Sequence, residues 1–278
     1  MLTKTAAVFA PFAVESSVVN FNGRLIILYV PRTPAQADTL VIRDFITGET
    51  IGTVPAQSMS LGCALVVGTA PNQTLHYWGT RDVGAPGNSI WHMETTDLAT
   101  WSTPDQTWVV GDPRQKIFNT SVCFDPDANR YVMAYETSEP YYGYTDFNVR
   151  WFVSTDLVTW APYGNVFGSD RYVACPRIDY ANGYYYMHYL VVESGVFKTR
   201  VARATDPSGT WTESTKYALT PTLPDELSNT SDIDFCEMGG NLYFAYAAGD
   251  QGAGATNAMD LKQAFAYGSK AAYLASFF

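Results

Sequence analysis

Three acidic residues near two strand-like hairpins are the best candidates for chemistry in this sequence. Glu15 lies seven residues before Asn22, in the turn of one hairpin, and Asp232 lies seven residues before Gly239, in the turn of another. Asp234 follows two residues later, so on a strand it shares a face with Asp232. If the two hairpins are neighbours in the fold, Glu15 and Asp232 face each other.

A pair of neighbouring carboxyl groups indicates general acid–base chemistry. Each negative charge makes the other group harder to ionise, so one carboxyl can hold a proton while its neighbour stays charged. Hydrolysis of a glycosidic bond needs such a pair and no redox cofactor. Two other interpretations are open, since the aspartates could instead hydrogen-bond to exposed backbone or bind a cation.

Two further polar residues could contact a bound sugar. Glu136 ends a strand-like segment next to the tyrosine-rich loop "SEPYYGY", although a solvated strand end explains it equally well. Arg177, in "ACPRI", corresponds in hairpin register to Asp234. Its guanidinium could clamp an anionic sugar, but an ion pair with Asp234 is the favoured interpretation.

The histidines and other aromatic residues are weaker candidates. His76, His92 and His188 are not spaced as metal ligands, so the sequence predicts no metal site. His188 lies in the apolar run "YYYMHYL", which is typical of a core, whereas His76 is close to a strand end and could contact a ligand. Five residues could stack on sugar rings. They are Trp78, Trp91, Tyr141, Tyr142 and Tyr144.

The strands that must position these residues repeat along the chain. One segment occurs three times, as "TTDLATW" at 95–101, "STDLVTW" at 154–160 and "ATDPSGTW" at 204–211. A strand-like hairpin precedes each copy, and the copies are roughly 50 to 60 residues apart, a period typical of propeller blades. The repeating tryptophans are therefore predicted to lie in the core.

This periodicity predicts an all-β protein, a single five-bladed β-propeller with four antiparallel strands per blade. An array of β-sandwiches is the alternative, but it does not explain why the internal order repeats. One segment, residues 254–268, has a helical pattern. The expected blades are approximately 1–56, 57–111, 112–169, 170–224 and 225–278.

Composition limits the partners. The net charge of −10 argues against nucleic acid and anionic membranes, which require basic patches. The apolar runs are strand-length, so no membrane insertion is expected. The N-terminus does not resemble a signal peptide, which suggests a cytoplasmic or virion-associated protein. The four cysteines contain no CxxC pair and are predicted to be buried free thiols. They are Cys63, Cys123, Cys175 and Cys236.

Several segments resemble five-bladed glycoside hydrolases of families 43 and 32. "STDLVTW" is similar to their strand ends, "FNTSVCFDPDANRYVMAY" to a third-blade strand, and "ACPRIDYANGYYYMHYL" to a fourth-blade strand of family 32. "SDIDFCEMGGNLYFAYAAGDQ" is similar to the last blade of uncharacterised propellers grouped with these families. The resemblance covers nearly the whole chain and implies a site at the mouth of the central channel.

In those hydrolases three acids at the channel mouth carry the chemistry. By this resemblance Glu15 occupies the blade-one position, while Asn119 and Ala174 stand where the other two acids belong. Asp232 and Asp234, in the last blade, are expected to supply the missing carboxyl groups. The site would then lie between the first and last blades.

The sequence therefore predicts a carbohydrate-active propeller that binds, and could hydrolyse, a glycan or oligosaccharide. Glu15 with Asp232 or Asp234 would be the catalytic acids. The expected substrate contacts are Asn119, Glu136, Arg177, Trp78, His76 and Tyr141. The alternative is a non-catalytic glycan-recognition or structural module with protein partners, for example a virion component. Retained Glu15 favours an enzyme, whereas Asn119 and Ala174 favour the alternative.

Overall fold

The computed structural model describes residues 2–33, 38–109, 112–251 and 259–278. The regular secondary structure of this part of the chain is almost entirely β-strand, which confirms the predicted all-β class. Its strands are β1 (Thr3–Ala10), β2 (Ser16–Phe21), β3 (Arg24–Tyr29), β4 (Thr39–Asp44), β5 (Thr50–Pro55), β6 (Met59–Thr69), β7 (Asn72–Arg81), β8 (Ser89–Thr95), β9 (Asp105–Val109), β10 (Lys116–Asp125), β11 (Arg130–Ser138), β12 (Asn148–Ser154), β13 (Ala161–Phe167), β14 (Ala174–Ala181), β15 (Tyr184–Glu193), β16 (Val196–Ala204), β17 (Thr212–Leu219), β18 (Asn229–Met238), β19 (Asn241–Gly249) and β20 (Asp260–Tyr267).

The strands pair in four-stranded antiparallel groups that follow chain order. Within the described residues, β2–β5, β6–β9 and β10–β13 each form a separate sheet. The remaining strands form one larger sheet, in which β14–β17 make one antiparallel group and β18–β20 with β1 make another. A single parallel pair, Phe197 with Asn229, joins these two groups.

The first strand of the chain completes the last group. β1 pairs with β20, with Thr3 opposite Phe265, and Nζ of Lys4 lies 2.7 Å from Oε1 of Glu226. The first unit was expected to span residues 1–56, but β1 belongs to the last group of strands. The pairing covers an edge of β20 that would otherwise leave backbone groups unpaired.

The prediction of a helix over residues 254–268 is wrong for the residues of this segment that the structure describes. Asp260–Tyr267 forms β20 and pairs along its length with β19, because sheet pairing outweighs local helix propensity there. The first residues of that prediction lie outside the described ranges. The α-helix α1 is instead Lys270–Ala275, where the Ala272 N–H donates to Oγ of the N-cap residue Ser269. Two 3₁₀ turns, Pro140–Tyr142 and Pro224–Glu226, complete the helical structure of the described chain.

No helix among the described residues has the length and apolar character needed to cross a membrane.

The repeated Asp–Trp segment is a polar turn after the third strand of a group. Oδ1 of Asp97 accepts the N–H of Thr100, and the Trp101 indole donates to the Leu98 carbonyl. The same contacts recur in the segment 154–160. All three repeated tryptophans pack against apolar clusters, as predicted. The repeat is therefore architectural.

The first strands of the groups contact one another in order. β2 contacts β6, β6 contacts β10, β10 contacts β14, β14 contacts β18, and β18 contacts β2. Side chains join them, since the Ala64 N–H donates to Oγ of Ser17 (2.8 Å) and the Val18 N–H donates to Oδ1 of Asp234 (3.0 Å). Each first strand thus contacts two other first strands.

All four cysteines lie in the described residues, and each is a free thiol on a first strand. This confirms the prediction that they do not pair. Cys63 and Cys123 are buried, whereas Cys175 and Cys236 are only partly so, which corrects the expectation of four buried side chains.

Candidate functional site

A cavity opens where the first strands meet. It brings together three catalytic candidates and two predicted substrate contacts from four different groups of strands. The lining includes Glu15, Asn119, Cys175, Arg177, Asp232 and Asp234. Counting seven residues back from each hairpin turn predicted that Glu15 and Asp232 face each other. Both line this cavity, although no turn or motif connects them along the chain.

β-bulges shape the rim of this cavity. β6, β14 and β18 each change register at the end that reaches the cavity. A non-glycine residue with positive φ lies in each bulge: Leu61 (53°), Cys175 (49°) and Asp232 (52°). Such backbone costs roughly 1–3 kcal/mol per residue and concentrates at functional sites. Bulges also re-aim side chains, so these three positions are the natural place to look for function.

Glu15 lies immediately before β2 and is held by an arginine. Its Oε1 is 2.5 Å from Nη2 of Arg32. Burial raises the pKa of Glu15 to about 7; the Arg32 charge opposes this shift and the Asp232 charge adds to it. Near neutral pH this carboxyl can therefore both hold and release a proton.

Glu136, predicted as a sugar contact, is a further carboxyl of this region. It is buried on β11, and its Oε2 accepts the backbone N–H of Cys175 at 2.6 Å. Burial raises the pKa of Glu136 to about 8, the Cys175 bond opposes this, and the charges of Asp232 and Glu15 raise it further. Glu136 is therefore mostly protonated at pH 7.

Asp232 presents an oxygen without a partner. Its Oδ2 is hydrogen-bonded to the Ser231 hydroxyl, whereas its buried Oδ1 has no hydrogen-bond partner among the described residues. The Cys175 thiol lies beside Asp232, and burial together with the negative charge of Asp232 raises the pKa of the thiol well above its usual value. A buried acceptor that lacks a donor is costly, so Oδ1 is suited to a ligand hydroxyl or a water.

Asp234 is occupied by structural contacts. Its Oδ1 lies 2.5 Å from Nη1 of Arg177, and its carboxylate also accepts the Val18 N–H and the Ser17 hydroxyl. Burial raises the pKa of Asp234 to about 6, although Arg177 opposes the shift. The predicted ion pair between Arg177 and Asp234 is thus present, and Arg177 also pairs with Asp179. These contacts favour a positioning role over the predicted catalytic one for Asp234.

Three predicted sugar contacts lie away from the cavity lining. Trp78 has no exposed surface, so it cannot stack on a sugar, and that prediction is corrected. His76 stacks on Trp78 at 5.7 Å, and burial lowers its pKa to about 4. Tyr141 packs beneath the Arg114 guanidinium, 4.1 Å from its ring centre. His188 is buried as expected, but neither ring nitrogen has a hydrogen-bond partner among the described residues.

A row of half-buried aromatic rings beside the acids was not predicted. Phe118 contacts Phe147 (4.8 Å between ring centres), Phe147 contacts Tyr172 (5.7 Å), and Tyr172 contacts Phe197 (6.1 Å). Burial raises the pKa of Tyr172, and the nearby negative charges, including Glu136, add to the shift. The sequence did contain a signal, because Phe118 adjoins Asn119 in the strand that reaches the cavity.

Comparisons with known proteins identify the fold. No protein-family model matches the chain, and no curated protein sequence matches it significantly. Several solved structures are similar to it. A thermostable family-43 glycoside hydrolase aligns with a TM-score of 0.68 at 11% identity, over 94% of this chain and 92% of its own. The Bombyx mori GH32 β-fructofuranosidase gives 0.63 at 9%, over 95% of this chain and 61% of its own.

A third similar structure has a different reaction. It is an N-acetylgalactosamine deacetylase from F. plautii in complex with blood group B trisaccharide, with a TM-score of 0.63 at 14% identity, over 96% of this chain and 95% of its own. The resemblance to families 43 and 32 is thus confirmed for the fold. Identity this low shows the fold alone, so the chemistry must be argued from the residues of the cavity.

Proposed function

We propose that this chain is a closed five-bladed β-propeller that acts on a glycan in the cavity lined by Glu15 and Asp232. The blades are the five four-stranded groups, at approximately the ranges expected from the sequence, with β1 completing the last blade. The contact between β18 and β2 supports closure, since it joins the last group to the first. Similarity to carbohydrate-active enzymes of this fold supports the substrate class.

One observation carries the enzymatic form of this proposal. Three carboxyl groups from separate groups of strands, Glu15, Glu136 and Asp232, lie close enough for their charges to influence one another. Such coupling separates protonated from ionised groups, which is the requirement for acid–base hydrolysis. A purely structural cavity has no need for three coupled acids.

The contacts of each acid suggest its role. Glu15, whose pKa of about 7 lets it hold a proton near neutral pH, is the general acid that protonates the leaving oxygen. Asp232, across the cavity, carries the negative charge that raises the pKa of Glu15 and is the general base that removes a proton from water. Glu136 is a positioning residue, because it holds the backbone of Cys175 while the Cys175 thiol contacts Asp232. The aromatic row that contains Phe118 and Tyr172 would stack on a sugar ring.

A non-catalytic glycan-binding module is the second candidate. It is favoured by one observation, that Asn119 and the neighbouring Ala174 and Cys175 supply no carboxyl group on their side of the cavity. In this case the carboxyls would accept hydrogen bonds from sugar hydroxyls. The virion role stays a prediction, as do the expected absence of nucleic-acid partners and the cellular location.

A substrate screen with matched variants tests the proposal. Wild type, Glu15→Gln, Asp232→Asn and the exposed control Glu49→Gln are assayed on a panel of aryl glycosides and on a glycan array. Hydrolysis that falls at least about a hundredfold in the two site variants, but not in the control, supports the enzyme. Binding without turnover that weakens in the same two variants supports the recognition module. Neither binding nor turnover with any glycan would refute both.

A further inference from the structure

Two histidines and a glutamate meet on one face of the second group of strands, away from the cavity. His76 on β7 lies directly opposite Glu94 on β8. His92 precedes Glu94 by two residues, so the two side chains share a face of β8. Cross-strand neighbours and same-face positions are the closest side-chain relationships a sheet provides. The sequence predicted no metal site because the linear spacing hid this register.

The ligand atoms converge at distances that suit a small metal ion. Nδ1 of His76 is 3.0 Å from Nε2 of His92 and 3.1 Å from Oε2 of Glu94. Each of the three residues offers a ligand atom that lies within 4.8 Å of the other two. Zinc–ligand bonds of about 2.0–2.1 Å in a tetrahedron place neighbouring ligand atoms roughly 3.3 Å apart. It is the one such His, Cys, Asp or Glu group within the ranges that the structure describes.

Hydrogen bonds alone satisfy this cluster poorly. Nδ1 of His92 lies 3.4 Å from Oδ1 of Asp105, which favours the tautomer with its proton on Nδ1 and leaves a lone pair on Nε2. Nδ1 of His76 then has at most one proton for two acceptors, Nε2 of His92 and Oε2 of Glu94. One of these two acceptors therefore has no donor. A cation at the centre of the cluster would bind the ligand atoms of all three residues.

The surroundings are those of a metal site with an open position. Asp105 supplies the outer carboxylate that commonly orients a metal-bound histidine. Trp78, fully buried, forms an apolar base with its ring centre 4.9 Å from that of His92. On the other side the cluster borders a solvent-facing groove that includes Ser102 and Val158. A water in this groove could be the fourth ligand.

We propose that His76, His92 and Glu94 bind a divalent transition metal, with Zn²⁺ the best match to two imidazoles and one carboxylate. The ion crosslinks β7 and β8 and is held by the folded state only. It therefore stabilises the protein by mass action, independently of any activity in the cavity.

The test uses the full chain, free of any histidine tag and treated with chelator. Zn²⁺ is titrated into wild type and variants by calorimetry, Co²⁺ is used as a spectroscopic probe of tetrahedral coordination, and the melting temperature is measured with and without each metal. Glu94→Gln is the main variant, because Glu94 is partly exposed and glutamine keeps its shape. His92→Gln is the second ligand variant, and Glu49→Gln is the exposed control.

The expected result is one Zn²⁺ per chain, a higher melting temperature with metal, and loss of both effects in Glu94→Gln and His92→Gln. Asp105→Asn should weaken binding by the roughly 10- to 100-fold typical of an outer-shell change, and Glu49→Gln should behave as wild type. No stoichiometric binding by wild type, or equal binding by well-folded Glu94→Gln and His92→Gln, would overturn the proposal.

Discussion

The backbone N–H of Cys175 donates a 2.6 Å hydrogen bond to Oε2 of Glu136. Cys175 lies in the bulge of β14, whereas Glu136 lies on β11 in the preceding group of strands. The thiol of the same cysteine lies beside Asp232 on β18, whose charge raises the pKa of the thiol. One residue with positive φ therefore connects the two carboxyl groups, so their relative position depends on this bulge.

Replacement of Glu136 should separate positioning from proton transfer. Glu136 has a pKa of about 8 and is mostly protonated at pH 7, so Glu136→Gln keeps both the neutral state and the acceptor for the Cys175 N–H. Turnover at pH 7 should fall much less than the roughly hundredfold expected for loss of an acid or base. Glu136→Ala, which cannot accept this bond, should lose far more. Measurements of kcat and KM for both variants on the substrate identified by the screen decide the point; equal, severe losses would instead make Glu136 the acid.

Removal of the Asp232 charge should lower the pKa of two neighbours. Its negative charge raises the pKa of both Glu15 and Glu136, so Asp232→Asn should shift both downward. Titration of ¹³C-labelled glutamate carboxyls by NMR measures these values without a substrate. Glu49→Gln is the matched control and should leave them unchanged. Unaltered titration in Asp232→Asn would mean that the three carboxyls are not coupled.

Conformational stability should fall as the pH rises from about 6.5 to 8.5. Folding raises the pKa of Glu15 to about 7 and of Glu136 to about 8, so in this window the folded state binds more protons than the unfolded chain. The free energy of unfolding then decreases with pH until both folded-state values are passed. Burial lowers the pKa of His76 and His188, so their opposite contribution is confined to pH values below about 6.5.

Urea unfolding at several pH values measures this slope. Glu136→Gln should flatten it, because glutamine does not titrate, while Glu49→Gln should retain the wild-type slope. An identical slope in Glu136→Gln and wild type would show that Glu136 ionises with nearly the same pKa in both states.

Loss of the Arg177 guanidinium should destabilise the fold strongly. Arg177 pairs with Asp234 and Asp179, which are both buried, and removal of one partner from a buried ion pair costs about 3–5 kcal/mol. Arg177→Met keeps the apolar stem but leaves both carboxylates without their arginine. The exposed pair of Arg114 with Asp112 is the control, and Arg114→Met should change stability little. Similar urea midpoints for the two variants would contradict the structural role.

Local sequence patterns were sufficient for part of this structure. The hairpins and the repeated turn at Asp97 and Asp156 predicted the four-stranded groups, because each of these signals is contained in a short stretch of sequence. Counting back from the hairpin turns also predicted that Glu15 and Asp232 face each other, because side chains alternate strictly between the two faces of a strand.

The parts that were missed depend on contacts between groups. Glu136 is recognisable as a coupled acid only when β11 packs against the bulge at Cys175, and Trp78 is buried by neighbouring rings that include Trp160. A single sequence carries no direct signal for such packing. The His76–Glu94 cluster is a different case, because both residues belong to one hairpin, and its register could have been counted.

The pairing of β1 with β20 has a consequence for folding kinetics. Thr3 lies opposite Phe265, so β1 cannot pair with β20 until most of the described chain has been synthesised. Until then, β1 has no strand to pair with. The ion pair between Lys4, on β1, and Glu226 likewise lacks the completed sheet that holds β1 in place. A contact of such high sequence separation slows folding, because a long loop must close before the pairing stabilises anything. β1 therefore stays unpaired until β20 is present, and we expect this pairing to be a late step of folding.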